Sequence, residues 1–168
     1  MRPPPDRSDL LTVRRARRSD LDTIDRIERQ SFETDRFSRR NLRRALAGNR
    51  AQFLLADVNG AAAGYAMLLL RKGAKAARLY SLAVDPAHRE KGVAGALLSE
   101  AERLCRKMGA DRLRLELRPS NMAAARLYER AGYALLERKT GYYDDGEDAI
   151  RLEKRLAPAA SGDRSAHA

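Results

Sequence analysis

The chain has 168 residues, 43% of them hydrophobic and 34% charged, a length and balance that suit one soluble globular domain and exclude a disordered or fibrous protein. Its longest uncharged apolar run, Gly60 to Leu70, is about half of the ~20 residues that cross a bilayer, and its single cysteine, Cys105, excludes a disulfide framework and a cysteine-rich zinc site. Lys and Arg outnumber Asp and Glu by 34 to 23, a net charge of +11 that suits a phosphate-bearing partner (a nucleotide, RNA or a ribosomal surface) and that also reads as a compositional excess of arginine.

Met1 to Asp9 is proline-rich and polar and lacks an apolar signal-peptide core, so a cytoplasmic protein without a membrane partner is expected. Residues 1–9 and 158–168 read as disordered tails around a domain of 10–157. Leu10 to Ala16 reads as a strand. Ser19 and Asp22 then resemble a capping box for a helix whose apolar positions Leu21, Ile24, Ile27 and Phe32 recur at helical spacing. Ser38 caps a second, basic helix through Ala47, ended near Gly48. Gln52–Val58 and Ala61–Leu70 flank Asn59-Gly60, a two-residue hairpin signal. Arg78–Val84 is a further strand, closed by Asp85-Pro86.

Val93, Leu97, Ala101, Leu104 and Met108 share one face of the next helix, which Gly109 stops. Leu113, Leu115 and Leu117 alternate with charged residues, as in a strand with one buried face. A short helix from Asn121 to Arg130 and two strands, Ala134–Tyr143 and Asp148–Leu156, complete the chain. The order β-α-α-β-β-β-α-β-α-β-β predicts a single α/β domain with a mixed sheet flanked by helices.

Between the strand ending at Val84 and the helix from Val93 lies Asp85-Pro86-Ala87-His88-Arg89-Glu90-Lys91-Gly92. Gly92 and Gly95 remove side chains where backbone N–H groups converge, and the helix N-terminus adds partial positive charge, so a diphosphate is favoured there. Glycines at that place also serve as plain turns, and the segment is neither a P-loop nor a Rossmann fingerprint.

In its context this stretch resembles the GNAT (Gcn5-related N-acetyltransferase) superfamily, whose Arg/Gln-x-x-Gly-x-Gly/Ala motif is matched by Arg89, Gly92 and Ala94. The resemblance runs from about Thr12 to Leu156 and implies a mainly antiparallel mixed sheet and acetyl-CoA as acetyl donor, with no metal. It implies that Leu82, Ala83 and Val84 pair with pantetheine, and that Arg89, Glu90, Lys91, Gly92, Val93, Ala94 and Gly95 wrap the diphosphate. Leu115-Glu116-Leu117-Arg118-Pro119-Ser120-Asn121, with Leu127-Tyr128, resembles the subfamily that acetylates the N-terminal alanine of ribosomal protein S18. That resemblance implies Glu116 as base, Tyr128 as acid and Asn121 as a cofactor contact.

A carboxylate suits an amine that must lose a proton, and a tyrosine suits a departing thiolate. Read without the family, Glu116 is an ion-pair partner for Arg114 or Arg118, Tyr128 is a packing residue and Asn121 is a helix cap. Tyr142-Tyr143-Asp144-Asp145-Gly146-Glu147-Asp148-Ala149 resembles the acceptor segment of N-terminal α-amine acetyltransferases, which implies an acceptor slot bordered by Tyr142 and Tyr143, with Phe32 on another side. Read alone, the same residues are hairpin aromatics. The S18-acetylating subfamily has Pro-Trp after its counterpart of Phe32, whereas this chain reads Glu33-Thr34-Asp35-Arg36-Phe37-Ser38 and contains no tryptophan.

An N-terminal α-amine of a protein or peptide is therefore the expected acceptor, with lysine or a small-molecule amine as the alternative. A basic RNA- or ribosome-binding module is the alternative of another class. Arg39, Arg40, Arg43 and Arg44 favour it and the 5% aromatic content disfavours it. Nucleic acid is not required for the expected reaction, and proximity to the ribosome is compatible with it.

Overall fold

A computed structural model describes residues 10–158. The two tails read from the sequence lie outside the described residues, except for Pro158. In chain order the elements are β1 (Leu11–Arg15), a 3₁₀ turn (Arg18–Asp20), α1 (Leu21–Ser31), α2 (Arg39–Ala47), β2 (Ala51–Val58), β3 (Ala61–Leu69), β4 (Ala76–Val84) and a second 3₁₀ turn (Pro86–His88). They continue with α3 (Val93–Lys107), β5 (Arg112–Leu117), α4 (Met122–Arg130), β6 (Ala134–Lys139) and β7 (Ala149–Arg155). The seven strands form one sheet in the order β1-β2-β3-β4-β5-β7-β6. Pairing is antiparallel at β1–β2, β5–β7 and β6–β7, and parallel at β4–β5. This is the expected α/β fold with a mixed, mainly antiparallel sheet.

The local chemistry explains most boundaries. Asn59 and Gly60 both take positive φ, 52° and 84°, the requirement of a tight two-residue hairpin. The Ser38 hydroxyl accepts from the Asn41 N–H at 3.1 Å and opens α2. Three boundaries differ from the sequence reading. The first helix is entered through the 3₁₀ turn, which Asp20 Oδ2 closes by accepting from the Arg17 N–H at 2.7 Å, and α1 itself has no side-chain cap from Ser19 or Asp20. Phe32 turns extended immediately after α1, although its N–H still bonds the Glu28 carbonyl at 3.1 Å. Strand β6 stops at Lys139 and not at Tyr143, because Gly141 takes φ 60° and its N–H donates to Asp148 Oδ1 at 2.9 Å, bending the chain out of the ladder.

By contacts the chain divides into two compact units, Met1–Ala66 with Ser81–Leu98, and Met67–Tyr80 with Ser99–Ala168. In the first, Ile24, Ile27, Leu42, Leu54, Leu55, Tyr65, Val93 and Leu97 are buried. In the second, Leu113, Leu115 and Leu117 fill the buried face of β5, and Ala101, Leu104 and Cys105 that of α3. The buried Glu102 accepts from the Tyr133 hydroxyl at 3.0 Å and from Lys154 Nζ at 2.7 Å, so its charge is satisfied inside. The parallel β4–β5 ladder comprises only Ala76–Arg78 against Arg112–Arg114, at the start of both strands.

Gly64 on β3 is the tightest point of the first unit. A Cβ there would sit 2.7 Å from the Ala83 carbonyl oxygen, 3.0 Å from Val93 Cγ1 and 3.2 Å from Leu97 Cδ1. The Ala83 oxygen is backbone and cannot swing aside, so a methyl group must displace β4 or α3. Gly64→Ala is expected to destabilise the protein by about 1–3 kcal/mol. The check is urea unfolding, which should show a lower midpoint at an unchanged slope.

Candidate active site

The turn after β4 is built by a cap and two unusual backbone conformations. The Asp85 carboxylate accepts from the Ala87 N–H at 3.0 Å and from Arg26 Nη1 at 3.0 Å, and its own N–H donates to the Ala63 carbonyl at 2.8 Å. Burial works against the Asp85 charge, but the Ala87 N–H and the Arg26 guanidinium outweigh it and hold the carboxyl below its ordinary range. Pro86 then opens the 3₁₀ turn. Glu90 and Gly92 adopt left-handed φ values of 65° and 79° and aim the chain into α3, whose first turn is Val93, Ala94 and Gly95. Glu90 is a non-glycine residue in that region, a local strain that sequence reading does not reveal.

The first N–H groups of a helix have no partner within it, and here they follow directly on the Gly92 bend. Val93 is buried on the inner side, while Arg89 and Lys91 are exposed. A Cβ at Gly92 or at Gly95 would meet nothing within 4 Å, so there is open space over the amides. Backbone donors, a helix N-terminus, two cations and room above them fit the diphosphate of acetyl-CoA. The ten cofactor-binding residues predicted in this segment, from Leu82 to Gly95, form one continuous path from the end of β4 to the first turn of α3. Phe32, half-buried, belongs to the same unit, and Ser31 just before it donates to the Val84 carbonyl at 3.2 Å.

The second unit holds the remaining predicted residues. Glu116 is on the face of β5 opposite Leu115 and Leu117, with its side chain 5% exposed. Its carboxylate is fully engaged: Arg78 Nε donates to Oε2 at 2.9 Å, and Arg151 Nε and Nη2 donate to Oε1 at 3.0 and 2.8 Å. The ion-pair reading was right in kind and wrong in partners. Arg114 pairs with Glu153, its cross-strand neighbour on β7, and Arg118 pairs with Asp145 and Glu147 in the loop before that strand.

Asn121 is the helix cap, its side-chain oxygen accepting from the Ala124 N–H at 3.1 Å. Tyr128 is 7% exposed and packs edge-on against Tyr133 at 5.5 Å between ring centroids. Burial pushes its hydroxyl well above the ordinary tyrosine range, and among the described residues that hydroxyl has no hydrogen-bond partner. A proton held there is available to a ligand. Tyr142 and Tyr143 stand edge to face at 5.0 Å, and each is fixed by a cation, Lys139 over Tyr142 at 5.8 Å and Arg118 over Tyr143 at 4.0 Å. Arg78 Nη2 also donates to the Tyr142 hydroxyl at 3.1 Å, which links that ring to Glu116 through one guanidinium.

Two further groups constrain the chemistry. Cys105 is buried, and burial followed by the charge of Glu102 pushes its thiol up to about 12, so an acetyl-cysteine intermediate is disfavoured. Among the described residues no group of three or more His, Cys, Asp or Glu is placed to hold a metal ion. Sequence reading missed Tyr65 and the full environment of Glu28. The hydroxyl of Tyr65 donates to Glu28 inside the first unit at 2.7 Å. A lone aromatic after Gly64 in an alanine-rich strand, and an acid four residues after Ile24 on the apolar face of α1, were the available signals.

Residues 18–133 match the family model described as the acetyltransferase (GNAT) family. The chain is 31% identical over 139 residues to a putative ribosomal protein bS18-alanine N-acetyltransferase of Bacillus subtilis, covering 82% of this chain and 91% of that protein. It is 30% identical over 161 residues to an N-alpha-acetyltransferase of Saccharolobus solfataricus, covering 87% and 93%. Its fold matches the crystal structure of the ribosomal-protein-S18-alanine N-acetyltransferase of Escherichia coli with a TM-score of 0.80 at 29% identity, over 91% of this chain and 98% of that one.

The depressed Asp85 pKa makes the turn's stability depend on pH. A carboxylate lowered on folding stabilises above its unfolded value, near 3.9, and that contribution is lost as pH falls through the folded value. Asp85→Asn should therefore lower the urea midpoint at pH 7, and the gap to the parent protein should narrow as pH falls below the ordinary aspartate value of about 3.9.

Proposed function

The chain belongs to the GNAT family of acetyltransferases, and from that premise we propose that it transfers the acetyl group of acetyl-CoA to the N-terminal α-amine of a protein or peptide. The observation that carries the acceptor is the pair Tyr142–Tyr143, two rings at 5.0 Å held by Arg118, Lys139 and Arg78 before any substrate arrives. Pre-set aromatic walls cost little side-chain entropy on binding and suit an extended peptide end better than a freely tumbling small amine. Relatives named for α-amine acetylation, one of them for the alanine of a ribosomal protein, support the same reading. An α-amine is also the easier nucleophile, with a pKa of roughly 8 against about 10.4 for lysine.

In this reading residues 10–157 form the catalytic domain of a cytoplasmic enzyme. Leu82, Ala83 and Val84 offer backbone groups to pantetheine, and Arg89 to Gly95 hold the diphosphate, with Asn121 as a further cofactor contact. Phe32, Tyr142 and Tyr143 border the acceptor. The amine attacks the thioester carbonyl, a C–N bond forms, and the C–S bond breaks to release a thiolate with a pKa of about 8.5, by analogy with cysteine. The Tyr128 hydroxyl gives that thiolate a proton, against the burial that raises its pKa, and the tyrosinate left behind takes a proton back from solvent before the next turnover.

Glu116 is the proposed base. Both of its oxygens accept from guanidiniums, Oε2 from Arg78 and Oε1 from Arg151. Of the four arginines on α2, Arg39 pairs with Asp22 and Asp25, while Arg40, Arg43 and Arg44 are exposed and give a cationic face compatible with a ribosomal substrate.

Thiol release from acetyl-CoA is expected with free-amine peptides and to fall to background with Nα-blocked peptides bearing lysine; turnover only with small amines would overturn the acceptor. Tyr128→Phe keeps the packing against Tyr133 and removes only the hydroxyl. It should lower kcat by about 10²-fold with affinity for acetyl-CoA retained, and a fully active variant removes Tyr128 from the mechanism.

A further inference from the structure

The first unit contains a second carboxylate that the reaction as described leaves unused. Glu28, on the last turns of α1, is 2% exposed. Its Oε1 accepts from the Tyr65 hydroxyl at 2.7 Å and its Oε2 from the Phe37 N–H at 2.8 Å. The Tyr65 oxygen lies 3.1 Å from Ser81 Oγ. Tyr65 is fully buried and Ser81 half-buried, so the line of oxygens runs from a half-buried residue on β4 to a carboxylate in the interior.

Three features place this line where a proton has to be removed. Ser81 directly precedes Leu82, the first residue assigned to the donor's pantetheine. Phe37 ends the loop that begins at Phe32, assigned to the acceptor, so Glu28 fixes that loop. Ser31 ties the other end of the same loop to Val84 through its carbonyl. All of these residues lie in one unit.

Glu28 also has the character of a proton acceptor. Burial raises its carboxyl above the ordinary range, against the Phe37 N–H and the Tyr65 hydroxyl. Of the charged neighbours, Asp25 raises it further and Arg36 draws it back. Asp25 itself is paired with Arg29 and Arg39, and Arg36 Nε donates to the Phe32 carbonyl. The Tyr65 hydroxyl is pushed up as well, by burial and then by the charge of Glu28, so it passes a proton along without ionising. Neither Glu28 oxygen has a guanidinium hydrogen bond to displace, in contrast to Glu116.

We propose that Ser81, Tyr65 and Glu28 form a proton relay, in which Ser81 meets the acceptor amine and Glu28 is the terminal proton acceptor. The proposal rests on the acetyl-transfer reading above. One N–H bond of the ammonium breaks as its proton bonds to Ser81 Oγ. The hydroxyl proton of Ser81 passes to Tyr65, and that of Tyr65 passes to Glu28 Oε1. The net change is one proton moved from the amine to the carboxylate, which leaves the nitrogen lone pair free to attack the thioester. After the product leaves, the proton returns along the same hydroxyls to solvent.

The test is the pH profile of thiol release with a free-amine peptide, for the parent protein and for Tyr65→Phe, Ser81→Ala and Glu28→Gln. The relay predicts that each variant loses about 10²-fold in kcat at pH 7 with KM for acetyl-CoA within about twofold of the parent. It also predicts that the loss shrinks at pH 9 to 9.5, where the amine, with a pKa of about 8, arrives already deprotonated. Tyr65→Phe and Ser81→Ala remove one oxygen each, so they decide the question even if Glu28→Gln fails to fold. A folded Tyr65→Phe with the parent's kcat and profile overturns the relay, and so does a loss that is equal at every pH, the mark of a displaced loop. A parent protein that binds acetyl-CoA yet acetylates no peptide overturns the acceptor reading and the relay together, whereas an active parent with unaffected variants overturns the relay alone.

Discussion

The close approach of backbone to backbone at Gly64 governs the unit that is proposed to receive the donor. With the Ala83 oxygen 2.7 Å from where a Cβ would stand, and Val93 and Leu97 just beyond, β3, the end of β4 and the first turns of α3 meet at a point that admits no side chain. That contact fixes where α3 begins. The strained Glu90 and the left-handed Gly92 follow from it, since a chain leaving β4 at Val84 must reverse within a few residues to start a helix at Val93. Asp85 stiffens the reversal from below by holding the Ala87 N–H and Arg26. The amides of the helix start are thereby aimed before a ligand is bound, and a preorganised anion site loses little entropy on binding.

A chain with 34 basic residues has to arrange its charges, and part of that arrangement lies on and around β5 and β7. Arg151 spans Glu116 and Glu137, Arg114 meets Glu153, and Arg118 meets Asp145 and Glu147. These side chains are mostly half-buried, and what the pairs supply beyond charge is orientation. Arg118 under Tyr143, and Arg78 bonded to Tyr142, turn ordinary ion pairs into supports for the aromatic rim.

Much of this was legible in the sequence, for identifiable reasons. The alternation of Leu113, Leu115 and Leu117 and the helical spacing from Val93 to Met108 report burial directly, and all of those residues are buried except Met108, which is half-buried at the end of the face. Asn59-Gly60, Ser38 and Asn121 carry their structural meaning in their own chemistry, as turn and caps. The errors fell where a distant partner decides. Tyr142 and Tyr143 have strand-forming side chains, but Gly141 and Asp148 bend the chain there, so β6 ends early. The partners of Glu116 depend on strand order, β4 and β7 on either side of β5, which periodicity does not encode. Tyr65 and Glu28 are 37 residues apart in sequence, and no local pattern marks their meeting.

The two carboxylates show how environment, more than residue type, divides roles. Glu116 accepts from guanidiniums on both oxygens, from Arg78 on one and from Arg151 on the other. Its geometry favours a group that orders Arg78 and, through it, Tyr142. Glu28 is held by a hydroxyl and a peptide N–H, partners that tolerate either protonation state, in a place where burial already disfavours the charge. A proton arriving at Glu28 relieves that burial cost. The interior acid of α1 therefore suits the end of the proposed relay, while the acid of β5, which the family motif marks, also orders Arg78 and through it Tyr142.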